Sequence, residues 1–107
     1  MPRVVVTGPA DRDLQAAFDW WKTNRSAEQA ARWYKKINQA IRSLGKMPER
    51  CSFVSEIELR ERGIRELPFG LGRRPTHRIV FAFDDSIVIV LRVRHASQDI
   101  LQLENLQ

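Results

Sequence analysis

Arg74–Asp99, RPTHRIVFAFDDSIVIVLRVRHASQD, is the stretch whose reading decides the fold. Runs of β-branched and aromatic residues stand on either side of Asp84, Asp85 and Ser86, a short polar cluster of turn formers, so the segment reads as two strands joined by a tight turn. Side chains alternate along a strand. If the arms pair across Asp85, then Ile79, Phe81, Phe83, Ile87, Ile89, Leu91 and Val93 share one face. The opposite face carries Val80, Ala82, Val88 and Val90 at its middle and Arg78, Arg92 and Arg94 at the end away from the turn. A slip by one residue would mix the large apolar side chains with the arginines. The expectation is therefore a ribbon with one face for a core and one that presents cations.

At 107 residues the chain is expected to form a single domain, 1–107, able to bury roughly 60 to 70% of its unfolded surface without staples. A hydrophobic share of 43% with 29% charged residues is that of an ordinary globular protein, and no apolar run approaches the ~20 residues that would cross a bilayer. No membrane partner is expected. Nothing at the amino end resembles a secretory signal, and the single cysteine, Cys51, has no internal disulfide partner, so the expected location is the cytoplasm. The formal charge is +5, and 14 of the 18 cations are arginine, whose planar fork suits phosphate and carboxylate. Residues 60 to 95 hold eight arginines against four acids. A surface of this kind fits a nucleic acid, an acidic protein, or no partner in particular.

Working outward, Arg3–Thr7 (RVVVT) reads as a short strand. Gly8 breaks it, and Pro9 suits a first helical turn in which Asp11 and Asp13 favour the helix dipole. Leu14, Ala17, Phe18 and Trp21 then recur at helical spacing up to about Asn24. Ser26 and Gln29 have the spacing of a capping box and open a second helix with the stripe Ala30, Trp33, Tyr34, Ile37, Ile41 and Leu44, stopped by Gly45 and Pro48. So short a link folds the two helices back as an antiparallel pair. Trp20 falls off the stripe and is expected at the surface. Residues 46 to 63 show no clear period. Ile64–Leu67 reads as a strand stopped by Pro68, Gly70–Pro75 (GLGRRP) as a loop carrying Arg73 and Arg74, and Ser97 as the cap of a last short helix with Ile100, Leu101 and Leu103 turned inward. The order predicts a two-layer α+β domain: an amino-terminal strand and an antiparallel helical hairpin on a small, mainly antiparallel sheet, with a short carboxyl-terminal helix.

The segments GIRELPF, HRIVFAF and IVIVLRVRHASQDI, in this order of elements, resemble the RelE/ParE superfamily of type II toxins, often labelled plasmid-stabilisation proteins. The triplet His77-Arg78-Ile79 stands where that superfamily has Tyr-Arg-Ile or a similar triplet. Arg92-Val93-Arg94-His95-Ala96-Ser97-Gln98-Asp99 stands at its Arg-Val-x-His-(Gly/Ala)-x-x-Asp segment. The resemblance implies a toxin held inactive by a cognate antitoxin, with which it could form a heterotetramer. It also implies one of two targets: DNA gyrase in the ParE-like branch, or messenger RNA in the ribosome in the RelE-like branch, where the toxin is an endonuclease.

Cleaving RNA needs a group to take a proton, a group to give one, and cations around the charged phosphate. Arg78, Arg92 and Arg94 would supply the cations, and His95 or His77 the proton chemistry. The RelE-like branch, however, commonly has a functional tyrosine or lysine cluster near its carboxyl end. Here the sole tyrosine is Tyr34 and no lysine follows Lys46, which favours the ParE-like branch. Alternation also places His77 and His95 on the apolar face at the strand ends, where a histidine usually has a hydrogen-bonding role. Arg73, Arg74, Arg78, Arg92 and Arg94 are thus the expected contacts to target or antitoxin. His95 with Asp99 is too small a set for a metal site, and no cofactor is expected. A basic interaction module without toxicity is the reading from another class.

Overall fold

A computed structural model describes residues 2–98 and 101–106. β1 (Arg3–Val6) leads into α1 (Gly8–Asn24) and α2 (Ala27–Ser43). Thr7 caps α1 by accepting from the Ala10 amide at 3.3 Å, and Ser26 caps α2 by accepting from Gln29 N at 3.1 Å, as the capping-box spacing predicts. The stretch without a readable period holds a 3-10 turn (Pro48–Arg50), β2 (Ser52–Phe53) and α3 (Ile57–Glu61). These elements span two to five residues, too short to show a repeat. β3 (Arg65–Phe69), β4 (His77–Phe83) and β5 (Ile87–His95) follow.

The sheet runs β1-β5-β4-β3-β2, with β1 parallel to β5 and the other neighbours antiparallel. One face receives the helical hairpin. Leu14, Trp33, Ile37, Ile41 and Leu44 meet Ile79, Phe81, Val88, Val90 and Val93 in the main core. Fully burying side chains of this size contributes about 1.5 to 3 kcal/mol each. Trp33 lies at its centre, edge-on to Phe69.

The hairpin register differs from the expected one. Phe83 pairs with Val88 and Phe81 with Val90, after which Leu91 is passed over and Val80 pairs with Arg92. The cause is the turn: Asp84 N donates to Ile87 O at 2.9 Å, and the Asp84 carboxylate accepts from the amides of Ser86 and Ile87 at 2.8 and 3.0 Å. This centres the loop on Asp85 and Ser86 rather than on Asp85 alone. Val88 and Val90 therefore join the helix-facing core, and the bulge at Leu91 brings Val93 back to it.

The opposite face is not an open cationic surface. Val54, Leu59 and Ile64 from the β2–α3 region and Leu101 from the carboxyl-terminal segment bury Val80, with Ala82 and Leu91 packed alongside. Gly63, at φ 81°, ends α3 in a Schellman arrangement, with Ile64 N donating to Leu59 O at 3.1 Å and Gly63 N to Arg60 O at 2.9 Å. Two further boundaries move. β3 continues through Pro68, where β2 no longer pairs with it and no partner needs a proline N–H. Ser97 stands in a turn, and the last helical piece among the described residues is a 3-10 turn, Leu103–Leu106, preceded by the buried Leu101. Asp99 and Ile100, into which the expected helix would lead, lie outside the described residues.

Candidate functional site

β1 stops pairing with β5 at Val90, and the edge of β5 beyond that point is taken over by α1. Thr7 Oγ1 donates to Leu91 O at 3.1 Å, and the Asp13 carboxylate accepts from Val93 N at 2.9 Å. Asp13 is thus more than a helix-dipole residue, since it finishes the strand edge. Past it, a cleft of about 490 Å³ opens between α1 and the ends of β4 and β5. Ala17, Trp20, Trp21 and Arg25 line one wall, and His77 and His95 line the other. Trp20 stands edge-on to Trp21 and is 51% exposed, which matches its position off the apolar stripe.

His77 and His95 pair directly across β4 and β5, with ring centroids 5.2 Å apart. His77 is buried beside Trp33, and its Nδ1 meets Thr76 Oγ1 at 2.9 Å. Burial, and secondarily the neighbouring His95, push its pKa down to about 4, so the ring is neutral near pH 7. His95 is exposed, and its Nδ1 is met by Ser97 Oγ at 2.7 Å and by the Ser97 amide at 3.1 Å. Both rings lie on the helix-facing side, as alternation predicts.

The arginines lie elsewhere. Arg78 and Arg94 face each other across the ladder on the side of Val80 and Arg92, so the ribbon separates them from the histidines. Arg78 forms ion pairs with Glu56 and, at 2.9 Å, with Glu66. These hydrogen bonds hold the Glu56 carboxyl at a pKa of about 2, and Glu56 also accepts from Leu101 N at 3.0 Å. Arg92 is held at the β5 edge by Asp13, at 2.6 and 2.9 Å, and donates to Asn105 O at 2.9 Å. Arg94 is half-buried. The cationic mouth expected from the sequence is, for Arg78 and Arg92, a pair of internal braces that fasten α1, the β2–α3 segment and the carboxyl-terminal segment to the sheet. Only Arg73 and Arg74, in the β3–β4 loop, are fully exposed among the five expected contacts.

Sequence reasoning missed Asp13, Glu56 and Glu66 as partners. Their separations from the arginines, 79, 22 and 12 residues, leave no local signal. Cys51 is buried, and burial pushes its thiol pKa up, away from a reactive thiolate. Among the described residues no helix is long and apolar enough to cross a membrane.

A helical hairpin over a five-stranded sheet, with β1 parallel to β5, is the frame on which the His77-Arg78-Ile79 and Arg92–His95 segments stand, and a family-model match over most of the chain places it in the RelE/ParE superfamily of toxins. Within it, residues 4–100 match the family model described as ParE toxin of type II toxin-antitoxin system, parDE, and the chain belongs to that family. A solved structure titled as the chromosomal ParDE TA system from P. aeruginosa has the same fold. Its TM-score is 0.72 at 21% identity, over 89% of this chain and 96% of that one. No curated protein matches the sequence.

Proposed function

We propose that this ParE-family chain acts in the bacterial cytoplasm as a growth-inhibiting toxin that grips a protein target such as DNA gyrase, and that a cognate antitoxin neutralises it, in a heterotetramer or a smaller complex. The whole chain, 1–107, serves as one toxin domain. The observation that carries the reading is the match of residues 4–100 to the ParE family. The site geometry supports a binding role over phosphate chemistry: the ribbon sets Arg78, Arg92 and Arg94 on one face and His95 on the other, so they do not converge on one phosphate. Exposed Arg73, Arg74 and Trp20 are the side chains offered for contact with target or antitoxin. Arg78 and Arg92 act indirectly by holding the frame.

Controlled induction in a bacterium tests this. Filamentation and DNA damage are expected before translation falls, with growth restored by co-expressing the small protein encoded beside the toxin. Reversing Arg73 and Arg74 to glutamate should relieve toxicity while leaving the melting temperature unchanged. Immediate translation arrest with cut messages would overturn the gyrase-like reading in favour of the ribosomal endonuclease.

A further inference from the structure

The outward face of α2 has no role in the toxin reading. Arg32, Lys35, Lys36 and Arg42 are all exposed and recur at helical spacing, on the side opposite the buried Trp33, Ile37 and Ile41. Gln29 and Gln39 lie among them, and the only acid on the helix is Glu28 in its first turn. From Arg32 to Arg42 the row extends roughly 15 Å at the helical rise. The ion pairs found among the described residues engage Arg78 and Arg92, none of these four cations. The frame under the row is firm: the Arg50 guanidinium donates to Lys46 O at 2.6 Å and to Ser43 Oγ at 3.1 Å, closing the carboxyl end of α2.

We propose that this face of α2 is a docking surface for the phosphate backbone of a nucleic-acid duplex, bound without regard to sequence. Charge complementarity is the first argument. A row of cations on one rigid helix releases counterions when it neutralises successive phosphates. The second argument is what the face lacks. Protein interfaces are anchored mainly by Trp, Tyr and Arg seated in apolar pockets, with lysine depleted, whereas this face pairs its arginines with lysines and the exposed large hydrophobic residues, Trp20, Met47, Phe53 and Ile57, all lie off α2. A membrane surface would need the apolar stripe of the helix, which is committed to the core. Arginine, lysine and glutamine with no apolar anchor form the side-chain set that contacts phosphate.

The test is fluorescence anisotropy of a labelled mixed-sequence DNA duplex titrated with the purified full chain over a series of salt concentrations. Two variants are compared: Arg32→Gln/Lys35→Gln/Lys36→Gln/Arg42→Gln, and a charge-matched control, Arg3→Gln/Arg12→Gln/Arg60→Gln/Arg62→Gln, with circular dichroism to verify that both fold. The expected result is low-salt binding by the wild type, at least tenfold weaker in the α2 variant and within about twofold of wild type in the control. The slope of log affinity against log salt should shrink by roughly 0.9 for each contacting cation removed. Equal losses in both variants would trace binding to net charge and overturn the proposal. So would binding that does not respond to salt, or a wild type that binds polyglutamate but not the duplex. Duplex binding and growth inhibition are read separately, so either can fail without the other.

Discussion

His77 shows how a residue readable as a site candidate becomes a stability determinant through burial. The unfolded chain takes up a proton near the ordinary histidine value of 6.5, whereas the folded chain resists it until about 4. Stability contributed by the neutral ring is therefore complete above pH 6.5 and lost as the pH falls from 6.5 toward 4. Glu56 adds a second, lower window, since its contribution is full above 4.5 and lost as the pH falls toward 2. Urea unfolding of His77→Gln should show a flatter stability profile than wild type between the two histidine values, with the lower window retained. A parallel decline in both proteins would show that His77 is not the group responsible. That His77 sits at a strand end was legible from alternation. Its contact with Trp33, 44 positions earlier in the chain, was not.

At the level of elements, the two helices were readable because each carries a polar cap and an apolar stripe over about five turns, long enough for periodicity to register. The β4–β5 hairpin was also readable, though its register was not. The turn offers two arrangements of similar composition, and the bulge at Leu91 carries no glycine to mark it. α3 was invisible for another reason: its five residues are held by tertiary packing and by the left-handed residue that ends it. Replacing Gly63 with alanine should thus cost about 1 kcal/mol or somewhat more, because a Cβ disfavours positive φ. The open space around that position excludes a clash as the cause. Chemical denaturation measures this directly, and an unchanged midpoint would mean that the Schellman turn contributes nothing.

For the whole molecule, the sequence suggested one core and one open surface, and the protein has a core on each side of the sheet. The second is small and depends on Leu101, buried against the group formed by Val54, Leu59, Ile64 and Val80. Truncating Leu101 to alanine should destabilise the fold by about 2 to 5 kcal/mol, since it removes a buried side chain from this cluster and leaves a cavity in its place. Thermal unfolding with a dye that binds exposed apolar surface would register both the lower midpoint and the opened face. A loss under 1 kcal/mol would place the segment outside the cooperative unit. The braces from Glu56 to Leu101 and from Arg92 to Asn105 bear on the same result, because these side chains hydrogen-bond to the segment's backbone and hold it in addition to apolar contact.

The parallel pairing of β1 with β5 has one more outcome, for how the protein is made. Thr7 and Leu91 are bonded although 84 positions separate them, so the first strand to be synthesised has no neighbour until almost the whole polypeptide exists. Long-range closure of this kind is slow, and a nascent chain halted before β5 would leave β1 unpaired and its helices with only the β4-β3-β2 part of the sheet to seat them on.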